Sequence, residues 1–233
     1  MPVMRIVTRK GAREEVVWGA REAKQGMLVE LSYFPESKMV AVAASNGWSV
    51  SWLYAGDALD PSSWRLVVGG DALYAPLGWC VQLVILRSGV EGDRVLGYDG
   101  SKVKKLFDSP RPVDAGYAKN SVVALALVTD AKHRVVGYDV SGKKLWEYRP
   151  EEPSTVRSIE PTSDGFLITE TGFLTPYRVL HLGFDGKHRV LEDLGKWVDA
   201  EVGEFWVKSF DGTKIHVFQV RRGPSKGAVV YWC

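Results

Sequence analysis

A chain of 233 residues, 45% hydrophobic and 25% charged, carries enough apolar surface to bury a sizeable core. Thirty basic against twenty-eight acidic residues leave a formal net charge of +2, so the charge balance gives no pull toward nucleic acid or an anionic membrane. The two cysteines, Cys80 and Cys233, form neither a C-x-x-C pair nor a disulfide framework, which fits a reducing cytoplasm and offers no metal ligands.

At the start of the chain, Arg5, Arg9 and Lys10 interrupt the apolar residues, so no signal-peptide core is visible. No apolar run approaches the roughly eighteen residues of a spanning helix, and the expectation is a cytoplasmic protein without a membrane partner. Residues 12–24, AREEVVWGAREAK, are good helix formers with Val16, Val17, Ala20 and Ala23 on one side. They predict a short amphipathic helix, weakened at Gly19, within an N-terminal segment of residues 1–27.

From residue 28 the pattern is strand and turn. "RVLGYDGSKVKKLF" from Arg94 returns as "RVVGYDVSGKKLWEY" from Arg134 and, more weakly, as "RVLHLGFDGKHRVLED" from Arg178. A looser copy begins at Trp48. Each copy reads as a strand, a turn built on Asp with a nearby Gly, and a second strand with basic residues. Aligning the aromatic before each turn sets Tyr54, Tyr98, Tyr138 and Phe184 in register, at spacings of 44, 40 and 46. Upstream of each copy lies an apolar run: Met39 to Ala44, Val81 to Leu86, Val122 to Val128 and Phe166 to Ile168. All-strand periods of about 40 to 50 residues mark β-propeller blades, and the apolar runs suit inner strands covered on both faces. The fold class is therefore all-β and propeller-like, with four to five blades over residues 28–198. Lys104-Lys105, Lys143-Lys144 and His188-Arg189 fall on the outer strand of their blades, where charge discourages edge pairing.

Beyond Trp197 the repeat stops. Phe205 to Phe210 and Lys214 to Val220 read as two strands joined by a tight Asp211-Gly212 turn, and Ala228 to Trp232 as a third. "VKSFDGTKIHVFQVRRGPSKGAVVYW" resembles the segment by which prolyl oligopeptidase family serine peptidases, acylaminoacyl peptidases especially, leave a β-propeller and enter the α/β-hydrolase domain. Ser209, Asp211, Gly212 and Ile215 match its S-x-DG-x-x-I hairpin, and Val229, Val230 and Tyr231 its apolar strand. The resemblance implies that residues 199–233 are the first strands of a hydrolase domain whose core is missing here. It also implies a propeller that gates peptide access to that domain. Where the family continues with His-Gly-Gly, this chain has Trp232 and Cys233.

Gly223, Ser225 and Gly227 spell G-x-S-x-G, the pattern of a nucleophile elbow. An elbow joins a strand to a helix, whereas Ser225 follows Pro224 and precedes a strand; no acid or histidine follows in the order the triad needs. Ser225 therefore reads as a loop residue, and no catalytic residue is assigned. His133, His181, His188 and His216 share no metal-ligand spacing, and no phosphate-binding glycine loop occurs, so neither metal nor cofactor is expected. Glu14-Glu15 and Glu151-Glu152 read as solvated charges. Most tryptophans, among them Trp48, Trp52, Trp64 and Trp146, fit the repeat as core residues. The expected partners are a separate hydrolase domain or short peptides, with self-association through exposed strands. A stand-alone propeller scaffold for protein binding is the alternative.

Overall fold

The computed structural model describes residues 6–10 and 13–223. Strands β1 (Ile6–Lys10) and β2 (Arg13–Trp18) form a hairpin, and helix α1 (Ala20–Lys24) follows. Blade 1 comprises β3 (Leu28–Phe34), β4 (Met39–Asn46), β5 (Val50–Asp57) and β6 (Arg65–Gly69). Blade 2 comprises β7 (Leu73–Trp79), β8 (Leu83–Ser88), β9 (Arg94–Tyr98) and β10 (Val103–Asp108). Blade 3 is built from β11 (Val113–Lys119), β12 (Val122–Thr129), β13 (Lys132–Asp139) and β14 (Lys144–Tyr148). Blade 4 follows as β15 (Ser154–Pro161), β16 (Gly165–Gly172), β17 (Arg178–Gly183) and β18 (His188–Asp193). A last hairpin, β19 (Glu201–Lys208) and β20 (Lys214–Arg221), stands as its own sheet.

Each blade is an antiparallel meander of four consecutive strands, so the fold is the expected all-β, propeller type, with four blades. Two compact units are present. One holds blades 1 and 2 with residues 118–121 and 140–142; the other holds the rest of blade 3, blade 4 and the last hairpin.

The apolar runs owe their continuity to burial on both faces. On β4, Ala41 and Ala43 join Leu53, Leu83 and Ile85 in a core between blades 1 and 2. Val40, Val42 and Ala44, on the opposite face, pack with Met27, Val29 and Trp64. In the second unit, Ala124 and Ala126 of β12 meet Phe166 and Ile168 of β16 and Leu180 and Leu182 of β17. Small side chains on one sheet leave room for large ones on the next, and each fully buried Phe, Leu or Ile contributes about 1.5–3 kcal/mol.

The N-terminal helix is shorter than the sequence suggests. Only Ala20–Lys24 is helical; Arg13–Trp18 pairs with Ile6–Lys10 instead. Val16, Val17 and Trp18 are β-branched or aromatic and favour the ladder. Gly19 then takes a φ of 91°, a conformation that interrupts any continuous helix across it. Trp18 completes the cover of blade 1: its ring meets Tyr54 edge-on at 5.0 Å and lies 6.4 Å from Trp64. Three boundaries also shift. The strand of the second apolar run begins at Leu83, with Val81 exposed in the preceding turn. That of the fourth run extends to Gly172. The strand expected from Phe205 begins at Glu201 and stops at Lys208, which leaves Phe210 exposed in the turn. The expected strand at Ala228 to Trp232 lies outside the described residues.

Candidate functional site

Ser225 and Cys233 lie outside the described residues. Among the described residues no three His, Cys, Asp or Glu side chains are grouped to hold a metal ion. No described helix is long and apolar enough to cross a membrane.

One grouping places a hydroxyl, an imidazole and a carboxylate together. His181 Nε2 lies 2.9 Å from Asp164 Oδ1 and 3.3 Å from Thr162 Oγ1, beside an open depression of about 460 Å³ that Lys187 and Arg189 also line. A nucleophile-base-acid relay requires the hydroxyl on one ring nitrogen and the acid on the other. Here both oxygens address the same nitrogen, so Asp164 cannot orient the ring as a base toward Thr162. The bond from His181, followed by that from Thr162, holds the Asp164 carboxyl below its usual range. The arrangement fastens the turn between β15 and β16.

A second grouping surrounds the last hairpin. Lys132, at the start of β13, reaches both oxygens of Glu204 on β19, at 3.0 and 2.8 Å. His216 on β20 approaches the same carboxylate through Nε2 at 3.1 Å. The Lys132 bond, with smaller help from His216, lowers the Glu204 pKa against a modest opposing effect of burial. Trp206 stacks on His216 with centroids 4.5 Å apart and planes 14° from parallel, and the Phe218 ring meets His216 at a tilt, also 4.5 Å away. Phe218 in turn meets Phe173 of the β16–β17 loop at 5.0 Å. One face of the hairpin is thereby bound to the loops of blades 3 and 4, next to a cavity of about 410 Å³ lined by Lys132, His133, Arg149, Glu151 and Glu204.

The opposite face carries Phe205, Val207, Ile215 and Val217, brought side by side by the pairings Phe205 to Val217 and Val207 to Ile215. Phe205, Val207 and Ile215 are exposed while Val217 is buried, and on the bound face Trp206 is exposed as well. A two-stranded sheet is marginal by itself and gains stability when such a face is covered.

The residues singled out in the sequence fall as follows. Lys104, Lys105 and Lys144 lie exposed on the outer strands, as expected, and Lys105 and Lys144 pair locally with Asp108 and Glu147. Glu151 is exposed, but Glu152 is half-buried and accepts from the Thr175 backbone N–H at 3.1 Å, so it is more than a solvated charge. Trp64 and Trp146 are core residues, whereas Trp48 is 90% exposed in the β4–β5 turn and belongs to no core. Nothing in the sequence points to the Lys132–Glu204 contact, which joins residues 72 positions apart.

No protein-family model and no curated protein sequence matches the chain. Solved structures do. A prolyl endopeptidase aligns with a TM-score of 0.78 and 20% identity, over 94% of this chain and 34% of its own length. Prolyl oligopeptidase B from Galerina marginata aligns with 0.76 and 18%, over 93% of this chain and 35% of its own. The acylaminoacyl peptidase of Pyrococcus horikoshii aligns with 0.63 and 14%, over 86% of this chain and 33% of its own. This chain spans about a third of the length of the proteins it matches. The chain thus carries a propeller fold that it shares with prolyl oligopeptidases and an acylaminoacyl peptidase.

Proposed function

We propose that this chain is the non-catalytic propeller portion of a prolyl-oligopeptidase-like serine peptidase, and that it limits which peptides reach a catalytic α/β-hydrolase domain. The observation that carries this reading is the last hairpin. One face is fixed to blades 3 and 4 through Lys132 and Phe173, while the other offers Phe205, Val207 and Ile215 as a ready-made apolar surface. A hydrolase sheet continuing from β20 would cover that surface and be tied to the propeller by the hairpin. The fold shared with peptidases that are about three times longer supports it. In this reading the chain binds and excludes, and its own described side chains perform no bond cleavage.

Reconstitution tests the proposal: the chain is assayed alone and fused to an α/β-hydrolase portion of that family, with chromogenic peptides and a folded protein as substrates. The expected result is no turnover by the chain alone, and cleavage of peptides but not of the folded protein by the fusion. Turnover by the chain alone that disappears in Ser225→Ala would overturn it, as would a fusion that degrades the folded protein as readily as peptides. A fusion that remains inactive although both parts are folded would favour the stand-alone scaffold.

A further inference from the structure

The outer strand of blade 4, β18, differs from the other three outer strands. Every residue from His188 to Asp193 is exposed, and its apolar centre, Val190 at 51% and Leu191 at 48%, is followed by Leu194 at 62%. Its sequence, HRVLED, runs from a basic pair through an apolar pair to an acidic pair. Among the described residues only β17 pairs with it, and they leave the backbone groups of its other edge free.

Charges on an edge strand normally repel a second copy, and on the other blades they do so or are already in use. β6, RLVVG, has no acid to answer its arginine. β10 has a register shift between Lys105 and Phe107, which leaves five ladder positions with Lys105 in the middle. Folded onto its own copy, β10 would set Lys105 against Lys105. The acid of β14, Glu147, is held by Lys144, Arg149 and Arg134 of its own neighbourhood. On β18 both signs are available: neither Arg189 nor Glu192 makes an ion pair among the described residues.

The register of β18 matters as well. When two copies of a strand pair antiparallel about a two-fold axis, one ladder position must face its own copy, so the number of positions between complementary partners must be odd. Six regular residues with basic and acidic ends would fail this condition. In β18, however, the ladder passes from Val190 opposite Leu180 to Glu192 opposite Val179, and Leu191 is an extra, bulged residue. Five positions remain in the ladder with β17. Carried over to the free edge, that count makes Val190 the middle position, with Arg189 and Glu192 on either side of it, both on the face opposite Val190, and His188 and Asp193 beyond.

From this geometry we infer that β18 is a self-association edge, whose partner is β18 of a second copy of this chain, with Arg189 of each copy opposite Glu192 of the other. Two-fold symmetry makes this pair twice on one face of the joined sheet, and on the other face Val190 stands against its own copy. His188 and Asp193 add little, since His188 already packs edge-on against Tyr148 and Asp193 already accepts from Arg178 and from the Gly195 N–H. One paired edge buries much less than a standard interface, so the dimer is weak and concentration-dependent. The inference does not depend on the presence of a hydrolase domain.

Sedimentation equilibrium on the 233-residue chain, over roughly 10–500 µM, tests it. The expected result is a reversible monomer–dimer equilibrium. Arg189→Glu and Glu192→Arg each place like charges opposite one another at both symmetric contacts, and each weakens the dimer by about tenfold or more. The double variant Arg189→Glu, Glu192→Arg restores it. All these side chains are exposed, and circular dichroism checks that each variant is folded. A strictly monomeric chain, a dimer indifferent to the single reversals, or a double variant as weak as the singles would overturn the inference. Phe205→Ser with Val207→Ser separates this edge from the hairpin face: the dimer survives that change if β18 forms it, and its loss would place the interface on the hairpin instead.

Discussion

The phenolic hydroxyl of Tyr148 donates to both oxygens of the Glu170 carboxylate, at 3.2 and 3.1 Å, and so joins the outer strand of blade 3 to an inner strand of blade 4. Glu170 is buried, and its other partner is Arg178 at 3.3 Å, which also holds Asp193 at 2.9 Å. Burial raises the Glu170 pKa, and the Tyr148 bond and the Arg178 charge only partly offset it. Tyr148→Phe removes one donor from a buried charge and should cost about 1–3 kcal/mol at pH 7.5. The sign with pH follows from the raised value. A carboxyl that holds its proton more tightly in the folded state than in the unfolded state stabilises the fold most below the unfolded value of 4.5. That stability is lost as pH rises through the folded value. The loss caused by Tyr148→Phe should therefore be larger at pH 7.5 than at pH 4.5, and urea titrations at the two pH values decide it. Equal losses would place the role of Tyr148 in packing alone.

His133 provides a second, opposite pH dependence. Its Nδ1 accepts from the Val156 N–H at 3.1 Å, and Nε2 lies 3.7 Å from Asp114. Burial lowers its pKa; the Asp114 charge acts the other way and Arg157 reinforces the shift. A histidine that resists protonation when folded takes up its proton more readily when unfolded, so stability falls as pH drops from about 6.5 toward the folded value. Wild-type protein should lose stability between pH 7.5 and 5.5 by more than His133→Gln, which has no proton to gain. Parallel thermal melts at the two pH values measure the difference.

The β12–β13 turn carries stored strain. Asp130 and Ala131 have φ of 51° and 54°, so both central residues of this two-residue hairpin are left-handed. Asp tolerates that region, whereas Ala has neither the flexibility of Gly nor a polar side chain to compensate. Ala131→Gly should stabilise the protein by roughly 0.5–1 kcal/mol, the relief of strain exceeding the added chain entropy. A higher midpoint in chemical denaturation is the readout.

Gly137 is required for a different reason. It lies on β13 opposite Trp146 of β14, and a Cβ there would stand 2.2 Å from the indole. The indole N–H is committed to the Phe184 carbonyl at 2.9 Å, so the ring cannot retreat without losing that bond. Gly137→Val should destabilise by about 2–3 kcal/mol through overpacking. Gly203→Ala, on β19, meets nothing within 4 Å and serves as the neutral control. Comparable melting points for the two variants would contradict this account.

Much of the fold was legible because blades repeat their chemistry. Tyr98, Tyr138 and Phe184 each precede an Asp-based turn, and the runs around Val42, Ile85 and Leu125 are apolar because side chains on both faces of these strands are buried. The N-terminal hairpin was not legible, since AREEVVW is compatible with helix or strand until its ladder partner, β1, is known. Glu170 was missed because the apolar run ends at Ile168. Its burial depends on Tyr148 and Arg178, which the sequence gives no reason to pair with it. Lys132 and Glu204 meet only because the last hairpin lies against blade 3. Such contacts follow from tertiary placement and leave no local pattern.

Every blade is assembled from four neighbouring strands, with none lent by a distant part of the polypeptide. A gene segment encoding about forty residues is therefore a complete structural instalment. Tandem duplication or loss of that segment changes how many sheets the protein has while leaving the hydrogen-bond ladders of the others intact, so size can evolve in whole sheets without redesigning a surviving one.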